Sequence, residues 1–150
     1  MFTSGPRLSD SVEGDPRRQA VASLRGYAYQ LYASALAWFG LDAGEELHLE
    51  VAEDYAVLSQ GALDAVQVRD TAGSGSLTLR SAGVAQTIDA FVDLAARNSG
   101  RRLTIRYLTT AQVSAERAVS DRPAGQPGLV YWRQAAAGAD VGPLRAILAR

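Results

Sequence analysis

The sequence contains no cysteine and no lysine, and its single histidine is His48. The absence of cysteine excludes disulfides, thiolate metal sites and a cysteine nucleophile. One imidazole cannot build a histidine-rich zinc site, so we expect His48 to be a partly exposed strand residue. All 15 basic residues are arginine, which indicates a compositional bias in the source.

The sequence also lacks a long apolar run and a strong net charge. The longest run, near residues 31–41, is interrupted by Ser34 and Gly40 and is far too short to span a membrane. The start is polar and has no signal core, so we expect a cytoplasmic protein with no membrane partner and a disordered leader over residues 1–14. With 47% hydrophobic residues and a net charge of -1, residues 15–150 are expected to form one globular domain without overall attraction to nucleic acid.

The first predicted element is a long helix. Asp15 and Pro16 are typical of a helix start, and the pattern continues to about Phe39 and ends at Gly40. Apolar residues recur every three or four positions, which predicts that one stripe of the helix is buried. The stripe comprises Val21, Leu24, Ala28, Leu31, Ala35 and Trp38.

Residues 50–69 are predicted to form two strands joined by the tight turn Gln60-Gly61. With a two-residue turn, Ser59 faces Ala62 in the ladder, and Asp54 faces Gln67.

Side chains alternate along a strand, so Asp54, Gln67 and Arg69 are expected on one face, with about 5 Å between the Cβ atoms of the first two. A carboxylate, an amide oxygen and a cation in this arrangement can seat a hard divalent cation with a phosphate. Alternatively, Asp54 is a solvated strand residue or an ion-pair partner of Arg69. Glu50 joins the site only if the strand bends, and Glu53 points away in a regular strand.

The remaining pattern predicts a helix over residues 82–98, a strand over 102–109 covered on both sides, a helical turn over 114–119, and two short helices near 129–137 and from 143. A helix and a strand after a hairpin imply an α/β fold. The last helical pattern has no stop signal before Arg150, so we expect the N-terminal module of a longer protein.

The densest basic cluster lies where the predicted helix over residues 82–98 meets the next strand. It contains Arg97, Arg101, Arg102 and Arg106. Two interpretations remain open for it: a solvated helix end and strand edge, or contact with a nucleic-acid backbone.

Several ordered blocks together resemble a known family. They are RGYAYQ at 25–30, LEVAEDYAVL at 49–58, AVQVRD at 65–70, TIDAFVDL at 87–94, IRYLTT at 105–110, a following Glu116 and, more weakly, GLVYW at 128–132. This pattern is similar to the N-terminal endonuclease domain of the antiphage effector nucleases associated with CD-NTases, and related domains front large NTPase defence proteins. The resemblance covers roughly residues 17–117.

The family belongs to the PD-(D/E)xK superfamily, so the resemblance implies a restriction-endonuclease-like mixed sheet flanked by helices that cleaves double-stranded DNA with Mg²⁺ or Mn²⁺. Asp54 would match the metal-binding acid, Gln67 the first residue of the (D/E/Q)xK motif and Arg69 its lysine. Gln30 would match the glutamine of the first helix, as support of the site or a DNA contact, and Glu50 a recurrent acid. A C-terminal sensor or NTPase region of the same chain would activate the domain and drive homo-oligomer assembly.

The sequence departs from the family pattern at Arg69. Arginine carries its charge on a broad planar fork and cannot act as a base, so charge stabilisation could survive the exchange more readily than positioning of water. The leading hypothesis is a metal-dependent DNA endonuclease of antiphage defence. The alternative is a catalytically degenerate module used for oligomerisation or for binding DNA or a partner.

Overall fold

A computed structural model describes residues 20–73 and 75–150 of the chain. In chain order its elements are α1 (Val21–Phe39), β1 (Glu46–Leu49), β2 (Tyr55–Ser59), β3 (Ala62–Arg69), β4 (Ser76–Leu77), α2 (Ala82–Arg97), β5 (Arg102–Thr109), β6 (Gln112–Val113), α3 (Gly128–Ala136) and α4 (Gly142–Leu148). The predicted leader over residues 1–14 and the predicted helix start at Asp15-Pro16 lie outside the described residues. Of the helices in the described part, none combines the length and the apolarity that a bilayer crossing requires.

The central sheet is mixed and has the strand order β1-β2-β3-β5. The first two pairings are antiparallel, whereas β3 and β5 run parallel because α2 connects them. The predicted two-residue turn is confirmed: Ser59 faces Ala62, and Gly61 has a φ of +75°, in the left-handed region that favours glycine. A separate parallel pair of β4 and β6 was not predicted from the sequence.

Helices cover both faces of the central sheet, and β3 is the strand buried between them. On one face Val66 and Val68 pack against Ala33 of α1. On the other face Leu63 and Ala65 pack with Leu94 of α2. The expected α/β architecture, a mixed sheet flanked by helices, is therefore confirmed.

A third apolar core joins the C-terminal helices to the start of α2. Its buried members are Leu79, Val84, Tyr131, Leu144 and Ile147. The helices predicted near residues 129–137 and from 143 are thus confirmed as α3 and α4. The helical turn predicted over 114–119 is wrong, because the chain forms 3-10 turns at Val119–Asp121 and Pro123–Gly125 instead.

The predicted orientation of α1 is wrong. The α1 residues that pack on the sheet core are Tyr29, Ala33 and Ala37, and Gln30 contacts Asp54. The stripe expected to be buried faces outward, and Leu24 and Trp38 are 65% and 62% exposed. Helical periodicity finds the two faces of a helix but does not decide which one meets the sheet.

Two strand predictions also need correction. The first arm of the hairpin does not begin at Glu50: residues 50–54 form a bend, and β2 starts at Tyr55. Positive φ values at Glu50 and Glu53 break the strand, and the Glu50 N–H donates to the Asp54 carbonyl at 3.1 Å.

β5 has the predicted bounds but only one covered face, since Leu108 on its other face is 38% exposed.

Candidate functional site

The carboxylate of Asp54 joins three parts of the fold. Gln30 Nε2 of α1 donates to Asp54 Oδ1 at 2.7 Å, and Gln67 Nε2 of β3 donates to Oδ2 at 2.5 Å. The backbone N–H of Val68 donates to the same Oδ2 at 2.6 Å. The structure therefore brings Asp54, Gln67 and Gln30 together, as the sequence predicted for the first two and the family resemblance for the third.

The end of β2 explains this geometry. The ladder between β2 and β3 stops at Tyr55 and Val66, so the Val68 N–H has no strand partner on that side. Asp54 lies one residue beyond the ladder, and its side chain supplies the missing acceptor. A buried backbone N–H needs such a partner, because an unpaired one costs about 1–3 kcal/mol.

Arg69 follows Gln67 by two residues and ends β3 beside Thr109. Its side chain is exposed, and none of the ion pairs in residues 20–73 and 75–150 includes it. The ion pair between Asp54 and Arg69 that the sequence left open is therefore not formed. The guanidinium remains accessible at the end of β3, next to the group formed by Asp54, Gln67 and Gln30, which we call the Asp54 cluster.

Glu53 belongs to the same electrostatic cluster, although a regular strand would point it away. Burial, followed by the neighbouring Asp54 carboxylate, raises the pKa of Glu53 above its ordinary value of 4.5, and Arg69 opposes this shift. Its φ of +71° redirects the chain, and no glycine or asparagine marks the position in the sequence. Sequence reasoning missed this residue for that reason.

Glu50 takes part through its backbone. The strand bends as its participation required, but the contact with Asp54 is the backbone hydrogen bond, and the Glu50 side chain is exposed.

Tyr107 lies opposite Gln67 in the parallel ladder, and burial raises the pKa of its hydroxyl above 10.0 against the opposing charge of Arg69. The neutral phenol of Tyr107 thus flanks the cluster on the side of β5.

We tested whether these residues fit a divalent cation. Within residues 20–73 and 75–150, no three acidic, histidine or cysteine side chains are grouped closely enough to hold a metal alone. Asp54 already uses three of its roughly four acceptor positions. Mg²⁺ is commonly bound by one or two carboxylates together with substrate phosphates. Asp54 fits that pattern as the carboxylate if Gln67 turns its amide oxygen towards the ion, and Glu53 is the adjacent acid in the chain, whose charge interacts with that of Asp54.

Arg101 and Arg102 lie away from Asp54. Arg102 pairs with Ala62, five residues along β3 from Gln67, which is about 17 Å in a strand. Arg101 lines a cavity of about 340 Å³ between α2 and the sheet. Glu53 also lines this cavity, so the cavity and the Asp54 cluster share one acidic side chain.

Two further acids have structural partners. Asp70 forms an ion pair with Arg25 of α1, and it accepts hydrogen bonds from the Ala72 N–H at 2.9 Å and Thr110 Oγ1 at 2.8 Å. The Ala72 N–H, then Thr110 and Arg25, lower the pKa of Asp70 below 3.8. This clamp ties α1 to the end of β3 directly after Arg69.

Glu116, the last acid of the family resemblance, is 3% exposed and has a structural role. Its two oxygens accept the N–H groups of Leu79 and Gly128, both at 2.9 Å. It therefore ties together two loops of the C-terminal core.

Comparison with known proteins found no matching family model, no matching curated protein and no matching solved structure.

Proposed function

We propose that this chain is a metal-dependent DNA endonuclease domain of the PD-(D/E)xK type, acting as the effector part of an antiphage defence protein. The observation that carries the proposal is the contact of Asp54 with Gln67 on the neighbouring strand, with Arg69 exposed two residues further on. An acid at one strand end and a Gln-x-Arg on the next correspond to the order of the family motif. The mixed sheet with helices on both faces is compatible with this fold.

Each residue has a chemical role in this proposal. Mg²⁺, or Mn²⁺ in its place, would supply an activated water and charge stabilisation when bound. Asp54 and Glu53 would hold the ion, and Gln67 would complete the site with its amide oxygen. Arg69 would bind a phosphate of double-stranded DNA through its forked donors, without acting as a base.

The position of Gln30 supports a role in holding the acid. Its amide fixes Asp54 Oδ1 from α1, and the contact of α1 with the sheet is reinforced by the Arg25–Asp70 ion pair. Gln30 is therefore a positioning residue in the proposal. Regulation by a C-terminal sensor or NTPase region, and assembly on activation, are further expectations of the family resemblance.

A catalytically degenerate module is the second candidate, and one observation favours it. Three donors already satisfy the Asp54 carboxylate, an arrangement that stabilises the fold without any metal. In this case Asp54 would be a structural acceptor, and the domain would serve oligomerisation or the binding of DNA or a partner. Arginine in place of the motif lysine is also consistent with lost catalysis.

Incubation of the activated full-length protein with supercoiled plasmid and Mg²⁺ or Mn²⁺ separates the two candidates. Asp54→Asn keeps the shape of the side chain, so loss of cleavage by this variant at unchanged melting temperature supports the endonuclease. Arg69→Lys tests the departure from the motif. Cleavage by Arg69→Lys but not by the wild type identifies a degenerate site, and no cleavage by either protein overturns the endonuclease proposal.

A further inference from the structure

The outer face of α1 is strongly apolar. The helix has 19 residues and a single charged one, Arg25. Its eight large exposed hydrophobic side chains are at least half accessible: Val21, Leu24, Tyr27, Leu31, Tyr32, Leu36, Trp38 and Phe39. Monomeric proteins rarely expose so large a continuous apolar surface without using it for binding.

The spacing of the exposed stripe follows a heptad pattern. Val21, Leu24, Ala28, Leu31, Ala35 and Trp38 alternate steps of three and four residues, which places them at successive a and d positions. The opposite side of the helix, which includes Ala33 and Ala37, packs on the sheet. The stripe therefore has the geometry of a helix-pairing seam, and its large side chains point away from the domain's own core.

We propose that α1 pairs in antiparallel fashion with α1 of a second copy of this chain, about a two-fold axis. A two-fold interface requires a self-complementary surface, and the seam has this property. Facing positions sum to 59 when the helices run antiparallel around the seam centre. Ala28 then meets the partner's Leu31, Leu24 meets the partner's Ala35, and Val21 meets the partner's Trp38.

The side-chain sizes favour the antiparallel arrangement. Every layer then combines a smaller a residue with a larger d residue, so the width of the seam varies less along its length than in a parallel pair. In a parallel pair the layers would alternate between two alanines and two large side chains, with Trp38 against the partner's Trp38. Antiparallel helices also bring opposite dipole ends together.

The exposed area is sufficient for a stable dimer. Aromatic side chains bury about 150–250 Å² when fully covered and the smaller Val and Leu side chains bury less, so the exposed half or more of each contributes on the order of 100 Å². The large side chains of the seam and the flanking Tyr27, Tyr32 and Phe39 are seven in all and present roughly 700 Å² per protomer, which lies within the share of one partner in an interface of standard size. The proposal uses only the surface of α1 and does not depend on the chemistry at Asp54.

Light scattering coupled to size-exclusion chromatography of the full chain tests the dimer. The wild type is expected to be dimeric at about 100 µM, well above a Kd of about 1 µM for a modest interface. Leu31→Glu should make it monomeric. Val92→Glu is the matched control, because Val92 is 60% exposed on α2, and it should leave the dimer intact. A monomeric wild type, or equal loss of the dimer in both variants at unchanged helix content, overturns the proposal.

The absence of native cysteine allows a direct test of orientation. Val21 and Trp38 are 17 residues apart, which is about 25 Å along a helix. In an antiparallel pair, Val21→Cys and Trp38→Cys should each fail to form disulfide-linked dimers alone and should form them when mixed. Cross-linking of each variant with itself indicates a parallel pair, and no cross-link in any sample contradicts the interface.

Discussion

Replacing Asp54 separates its contribution to stability from any role in chemistry. In Asp54→Ala the Val68 N–H and the amides of Gln67 and Gln30 lose their common acceptor. Val68 is 1% exposed and Gln67 is 8% exposed, so water does not readily replace the carboxylate at either of them. Gln30 is half-buried and can find water more easily.

The magnitude follows from these burial values. The unpaired backbone N–H costs about 1–3 kcal/mol, and the buried amide of Gln67 adds about 1 kcal/mol. A total of about 3 kcal/mol corresponds to a fall in melting temperature of about 6–12 °C for a chain of this length. In Asp54→Asn the side-chain oxygen can still accept from the Val68 N–H and from Gln67 Nε2, while the Gln30 amide can turn to accept from the new amide. We therefore expect a change in stability below about 1 kcal/mol for Asp54→Asn.

Thermal and urea unfolding followed by circular dichroism measure both effects. Asp89→Ala, which removes an exposed acid on α2, is the control and should leave the melting temperature unchanged. An equal loss of stability in Asp54→Asn and Asp54→Ala would show that the charge matters more than the hydrogen bonds. A melting temperature of Asp54→Ala close to that of the wild type would refute the reasoning.

Two further predictions concern packing and charge. Gly128→Ala should lower the free energy of unfolding by about 1–3 kcal/mol through overpacking, because the new Cβ would lie 2.6 Å from Leu79 Cβ. Gly100→Ala is the control: its Cβ meets nothing within 4 Å, so this variant should unfold in urea like the wild type. The raised pKa of Glu53 means that the folded state binds its proton more tightly, so stability falls as pH rises from the ordinary value of 4.5 through the folded value. Glu53→Gln should therefore be more stable than the wild type at neutral pH and equal to it well below 4.5; a pH-independent difference would contradict this.

The sequence predicted the Asp54–Gln67 contact because it depends on local rules. A two-residue turn sets the register of a hairpin, and strand alternation then assigns the faces. The position of Gln30 came from family resemblance alone, since no local rule relates a helix residue to a strand end 24 residues later. Glu53 could not be assigned, because its left-handed backbone reverses the alternation without a glycine to indicate it.

The error about α1 has a different physical origin. A pattern-based prediction assumes that the largest apolar side chains face the core, and this holds when the helix has only one partner. Here Ala33 and Ala37 pack on the sheet, and the large side chains of the heptad stripe are left outside. The periodicity identifies an apolar stripe on α1, but it does not specify which surface covers that stripe.

The two proposals meet in α1. The inner side of this helix presents Gln30 to Asp54, and its outer side carries the seam, so one rigid element about 28 Å long contacts both the site and the partner. The packing of Tyr29, Ala33 and Ala37, the Gln30–Asp54 hydrogen bond and the Arg25–Asp70 ion pair hold α1 to the sheet. Pairing of α1 would restrict its movement on the sheet and thereby fix the Gln30 amide against Asp54. The double variant Gln30→Ala/Leu31→Glu tests this link. If assembly acts on the site through Gln30, the fold reduction in plasmid cleavage by the double variant is smaller than the product of the fold reductions by the two single variants.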